Sequence, residues 1–307
     1  MQAGAIPARH GPPLAAAALV CNAFVWGVSW WPFRELQSLG LHPLWATALI
    51  YFFSLACVFC VWPRAWRGFA QHPQLWLLAV AAGLTNVGFN WAVTVGDVVR
   101  VVLLFYLMPA WSVLLAWAVL GEQPTRASLL RLLLAMVGVL IVLKSPDSPW
   151  PVPQGAADWL ALMGGLCFAA TNVLLRKLAY TPSPSRMMAM FGGGALMASA
   201  TALLGMAGQY VPAPAWTSAW LPVALGLSLA FLVSNMALQY GAARLAASTT
   251  AIVMLTEILF ASLSAALLGA AAFSPRLLLG GSLIVLAAVL AAMAPAPAAL
   301  PGDEKSP

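Results

Sequence analysis

An all-α integral membrane protein of about ten transmembrane helices, built as two inverted five-helix halves, is the fold class this sequence predicts. Three observations predict it. Of the 307 residues, 63% are hydrophobic and only 7% charged, against roughly 25% charged residues in an ordinary soluble domain. Apolar runs near the roughly 20 residues needed to cross a hydrocarbon core recur along the chain. Segments of the two halves also echo one another at a nearly constant spacing, the mark of an internal repeat. So much of the chain is apolar that no soluble catalytic or binding domain of ordinary size fits between the runs. Function is therefore expected within the helices.

Proline, glycine, charge and polar clusters punctuate the apolar runs into candidate spans at 14–33, 43–62, 75–95, 99–120 and 127–144. A Pro-rich connector follows at 145–156. The second set is 157–175, 187–207, 220–240, 247–268 and 277–294. This divides the chain into a first five-helix repeat, 14–144, a second, 157–294, and a Pro- and Ala-rich tail at 295–307 expected to be disordered. With the N-terminus placed inside, ten of the fourteen Lys and Arg fall on the inner side. Arg34, Arg100, Lys144 and Arg276 fall outside, so the bias favours two cytoplasmic termini and an even number of spans. The net charge of +6 is thus a topology signal, and no nucleic acid is implied. Cys21, Cys57, Cys60 and Cys167 lie in apolar stretches and form no disulfide framework. The three histidines are scattered through connections and the terminus, so no metal site is expected and no cofactor is implied.

The echo is clearest between Asn90-Trp91-Ala92-Val93-Thr94-Val95-Gly96 and Asn235-Met236-Ala237-Leu238-Gln239-Tyr240-Gly241, a constant 145 positions apart. Arg34-Glu35-Leu36 and Arg176-Lys177-Leu178 correspond at 142. Five spans per half require equivalent ends to face opposite sides, as the charges of these two segments do.

These residues resemble the drug/metabolite transporter superfamily, specifically its ten-helix EamA-type branch. The resemblance covers the whole chain. Its carriers are Trp26-Gly27, the Asn90 to Gly96 segment, Leu107-Met108-Pro109 through Leu120-Gly121-Glu122, and Gly138. Thr256-Glu257-Ile258 departs from the family's Glu-Pro, and Leu268-Gly269-Ala270 lacks the terminal Glu of the first half. The resemblance implies transport of small metabolites by alternating access in a bacterial-type inner membrane, export more often than import, without ATP hydrolysis in the chain. No phosphate-binding loop is present in the sequence, in agreement.

Candidate site residues follow from polarity at depth, because a polar side chain at mid-membrane needs a partner or a cavity. Asn86, Asn90 and Thr94 recur every four residues on one helix face, as do Asn235 and Gln239. Both stripes are expected to line a substrate cavity, or else to bond neighbouring helices. Trp26 and Trp111 are candidates for its apolar wall. Glu257, about ten residues into the ninth span, is the candidate for proton coupling or for binding a substrate amine; capping a neighbouring helix is the alternative. Pro109 is expected to kink the fourth span, and Asp97 with Arg100 to bracket the turn before it. The expected partners are the lipid bilayer and a small neutral or zwitterionic hydrophobic metabolite, amino acids first. Multidrug efflux on the same fold is the runner-up. An intramembrane enzyme is disfavoured, since one buried Glu without a buried His, Asp or Lys makes poor acid/base machinery. Phosphorylated substrates are disfavoured because the mid-span regions carry no Lys or Arg.

Overall fold

The structure, a computed structural model, describes residues 12–96, 98–144, 152–215, 217–270 and 274–294. Among these residues, ten segments are long and apolar enough to cross a membrane. The first span is broken into α1 (Pro12–Val28) and α2 (Trp30–Ser38). The second is α3 (Pro43–Val61), the short α4 (Arg67–Gln71) follows it, and the third is α5 (Gln74–Val95). The fourth is again broken, into α6 (Val98–Phe105) and α7 (Met108–Leu120), and α8 (Arg126–Leu143) completes the first five. Spans six to eight are the unbroken helices α9 (Ala156–Lys177), α10 (Ser183–Ala207) and α11 (Leu221–Ala242). Span nine breaks into α12 (Ala247–Met254) and α13 (Thr256–Leu267), and α14 (Pro275–Ala292) is the tenth. The tail at 295–307, most of the connector, and Asp97 lie outside the described residues.

Helices bury their backbone amides internally, which is why apolar sequence in a bilayer takes this form. Large apolar side chains cover the periphery as well as the core: Leu130, Leu133, Leu196 and Leu267 are all exposed. In water such a surface would aggregate; against lipid it is the natural exterior. Small residues set the helix spacing inside, because helices in lipid associate through close packing. A Cβ on Gly138 would meet the Gly280 carbonyl at 2.7 Å, and one on Gly280 the Gly138 carbonyl at 2.6 Å. These two glycines, 142 positions apart, hold α8 against α14. The triple glycine of α10 also serves packing: Gly193 lies on the Ala79 backbone of α5 and Gly194 on the Tyr51 ring.

Helix contacts occur in exchanged pairs. Where α5 packs on α9, α11 packs on α1; where α5 meets α10, α11 meets α3; where α7 meets α9, α13 meets α1. The exchange reaches residue level. Gly96 at the end of α5 abuts Ala157 at the start of α9, and Gly241 at the end of α11 abuts Ala15 and Leu19 at the start of α1.

Pro109 departs from expectation. It occupies the first turn of α7, after the break at Tyr106-Leu107, rather than the middle of a continuous helix. Proline has no amide to donate, and the first turn has none to bond, so it fits there without loss. Span nine breaks too, at Leu255, and Glu257 falls in the first turn of α13.

Candidate functional site

A cavity of about 100 Å³ lies in the middle of the bundle, lined from both halves. The helix breaks bring it side chains that continuous helices would aim elsewhere: Phe105, Tyr106 and Met108 around the first, Met254 and Glu257 around the second. Glu257 is half-buried, with the Tyr106 hydroxyl positioned to donate a hydrogen bond to its carboxyl group. Gly27 makes room for this arrangement, since a Cβ there would strike the Glu257 carbonyl at 2.7 Å.

Amides from three helices line the same cavity. Asn86 accepts from the Tyr51 hydroxyl at 2.9 Å and donates to the Ala82 carbonyl at 2.9 Å. Asn90 donates to Thr47 Oγ1 at 3.0 Å, fixing α5 to α3. Asn235 donates to the Met190 sulfur at 3.3 Å and accepts from Gln239. Asn22 donates to the carbonyl and hydroxyl of Ser234, at 2.8 and 2.6 Å, while its own Oδ1 is buried without a partner among the described residues. Aromatic rings supply the apolar walls. Trp26 stacks on Phe231 with centroids 4.5 Å apart, Tyr51 lies 5.6 Å from Phe191, and Phe89 and Phe105 lie 4.8 Å apart.

Of the residues singled out from sequence, Trp26, Asn86, Asn90, Asn235 and Glu257 line this one cavity. Gln239 does not: it lies behind Asn235 and is almost fully buried. Trp111 is not among the lining residues either, and the side chain of Thr94 lies outside the described residues. Sequence reasoning missed Asn22, Tyr51, Phe191 and Phe231. Asn22 carried a usable signal, as a lone amide amid apolar residues in the first span. The three aromatics carried none, because apolar lining and apolar packing look alike in sequence.

At the two ends of the bundle, ion pairs tie α6 and α7 to α9. Arg100 Nη1 lies 3.5 Å from Asp158 and 2.8 Å from Gln154 Oε1, whose own backbone amide donates to Asp158. Arg100 therefore reaches across to α9, a partner that the turn-bracketing reading of Asp97 and Arg100 did not foresee. At the far end Glu122 lies 3.5 Å from Arg176 and accepts from the Ala247 amide at 3.3 Å.

Residues 13–144 match the EamA-like transporter family. Over 183 residues the chain is 24% identical to an uncharacterized transporter of Pseudomonas aeruginosa, the match covering 57% of each protein. It is 28% identical over 178 residues to protein RarD of Escherichia coli, covering 56% of each. Protein RarD of Streptomyces exfoliatus is 26% identical over 167 residues, 50% of this chain and 49% of that one. The chain spans about half the length of the curated relatives it matches. A solved crystal structure aligns with a TM-score of 0.72 at 20% identity, covering 90% of this chain and 96% of the other. That likeness is one of fold and extends over both halves of the bundle.

Proposed function

We propose that this multi-pass membrane protein is a secondary carrier, moving a small neutral or zwitterionic hydrophobic metabolite across the inner membrane by alternating access. Amino acids are the leading class, and export is the favoured direction. The observation that carries this reading is the mid-bundle cavity, where one carboxyl group, several amides and a ring of aromatic side chains converge from both halves. Amides can donate to and accept from a polar substrate, the carboxyl group suits an amine or a proton, and the rings suit an apolar side chain. The cavity's volume of about 100 Å³ falls below the roughly 300–1,000 Å³ of sites for drug-sized ligands. This favours a small metabolite over a drug.

In this reading residues 14–144 and 157–294 are two inverted repeats, with both termini in the cytoplasm. The exchanged helix pairs and the reciprocal Gly138 and Gly280 contact support it. Rocking of one repeat against the other would expose the cavity to each side in turn.

The test is flux of a panel of labelled amino acids in proteoliposomes of the purified protein, with and without an imposed pH gradient, against empty liposomes. Saturable flux of one class is the expected result. Folded protein that moves no member of the panel would remove amino acids and leave other small metabolites to be tried.

A further inference from the structure

Below the cavity a ladder of polar side chains descends to one end of the bundle. Asn235, on the cavity wall, accepts at Oδ1 from Gln239 Nε2 at 2.7 Å. Gln239 Oε1 in turn accepts from Ser183 Oγ at 3.0 Å and from Arg186 Nε at 3.1 Å. Arg186 Nη1 donates to the carbonyls of Leu178 and Ala179, at 2.7 and 2.9 Å. The sequence placed Arg186 in a connection as a topology charge. It lies instead in the first turn of α10 and is only 6% exposed.

Every one of its partners is neutral. Neither ion pair among the described residues involves Arg186. Glu122, a carboxylate at this end, is engaged by Arg176 and by the Ala247 amide. Arg244 is close enough to repel Arg186. The end of α9 offers its partial negative dipole, equivalent to about half a charge, which offsets the cation only in part. A buried cation ordinarily has a counter-charge, because carbonyls alone do not repay its lost hydration. Topology alone needs a basic residue in an exposed connection, not a buried and hydrogen-bonded guanidinium. The planar fork of arginine matches a carboxylate, and Nη2 has no hydrogen-bond partner among the described residues.

We propose that Arg186, positioned by Gln239, is a carboxylate-recognition station on the transport pathway, so that the substrate must carry a carboxylate. The inference rests on the carrier reading and narrows its substrate class. Gln239 and Asn235 stand between Arg186 and the cavity in this conformation, and the ladder must open for a substrate to reach the guanidinium. Glu257 supplies the opposite pole for an amine.

The experiment compares leucine, its methyl ester, 3-methylbutylamine and 4-methylpentanoate in two assays on the purified protein. One is competition with labelled leucine flux in proteoliposomes; the other is binding, read from quenching of tryptophan fluorescence. Leucine and 4-methylpentanoate should be recognised at least tenfold better than the ester and the amine. Arg186→Gln should abolish that preference and Arg186→Lys restore part of it. Since Arg186 also caps α9, a second variant guards against misfolding. Gln239→Glu keeps the shape, gives Arg186 an internal carboxylate, and should fold normally while weakening leucine recognition at least tenfold. Flux that treats all four compounds alike, or that Gln239→Glu leaves unchanged in a folded protein, overturns the station and spares the carrier. Carboxylate-selective binding without flux spares the station and overturns the amino-acid carrier reading. Neither binding nor flux overturns both.

Discussion

Glu257 concentrates the chemistry of the cavity in one side chain. It sits in the first turn of α13, where the helix dipole favours a carboxylate, and Tyr106 is placed to donate to it. If Glu257 couples flux to protons, Glu257→Gln should insert and fold normally but lose the response to an imposed pH gradient. Proteoliposome flux across that gradient checks this, and an unchanged response would remove Glu257 from coupling. The polar members of the site were legible in sequence because bilayers penalise stray polarity, so each buried Asn or Glu announces itself. Asn86, Asn90, Asn235 and Glu257 were found that way. Tyr51, Phe191 and Phe231 were not, since only tertiary packing decides which rings border empty space. Gln239 shows the limit of the helix-face argument: one turn from Asn235 on the same face, it points past the cavity to Arg186.

Elements were legible from hydropathy, while their breaks were not. Spans four and nine appear as continuous apolar runs, and nothing in Leu107 or Leu255 warns of an interruption. A mid-helix Pro109 would kink its span; the break places it in a first turn, where it costs nothing. Close packing between elements gives a direct prediction. Gly280→Val should push side-chain atoms into the Gly138 carbonyl and the Val142 side chain, which a new Cβ already meets at 2.6 and 2.7 Å. A loss of roughly 1–3 kcal/mol is expected, the usual range for overpacking, read as a lowered thermal midpoint in detergent. The start of α3 is sensitive to acid. His42 caps it by accepting from the Leu44 amide through Nδ1, and burial holds the His42 pKa below its ordinary 6.5. The neutral form is therefore favoured in the folded state. Its contribution is present above pH 6.5, declines as the pH falls below that value, and is gone below the lowered folded pKa. Thermal midpoints across pH 5 to 8 should show this decline, and His42→Asn, which caps without titrating, should flatten it.

At the scale of the whole molecule the seams between spans differ in how they are fastened. The convergence was legible: Asn90 and Asn235, 145 positions apart, both reach the same cavity. The fastening was not, because ion pairs such as Arg100 with Asp158 join residues far apart in sequence. Spans four and six run parallel and are bolted at both ends, by that pair and by Glu122 with Arg176. The seam between spans one and nine has, among the described residues, a single polar tie, Trp30 Nε1 to Ser264 Oγ at 2.9 Å, with apolar packing around Gly27 and between the Phe24 and Phe260 rings. A structure so fastened has a chassis and a door. The doubly bolted spans should travel as one piece through the cycle, and the lightly latched seam should be where the protein parts. Thiol cross-linking tests the difference in a background freed of native cysteines. Joining Arg100→Cys to Asp158→Cys should leave flux largely intact, whereas joining Trp30→Cys to Ser264→Cys should arrest it.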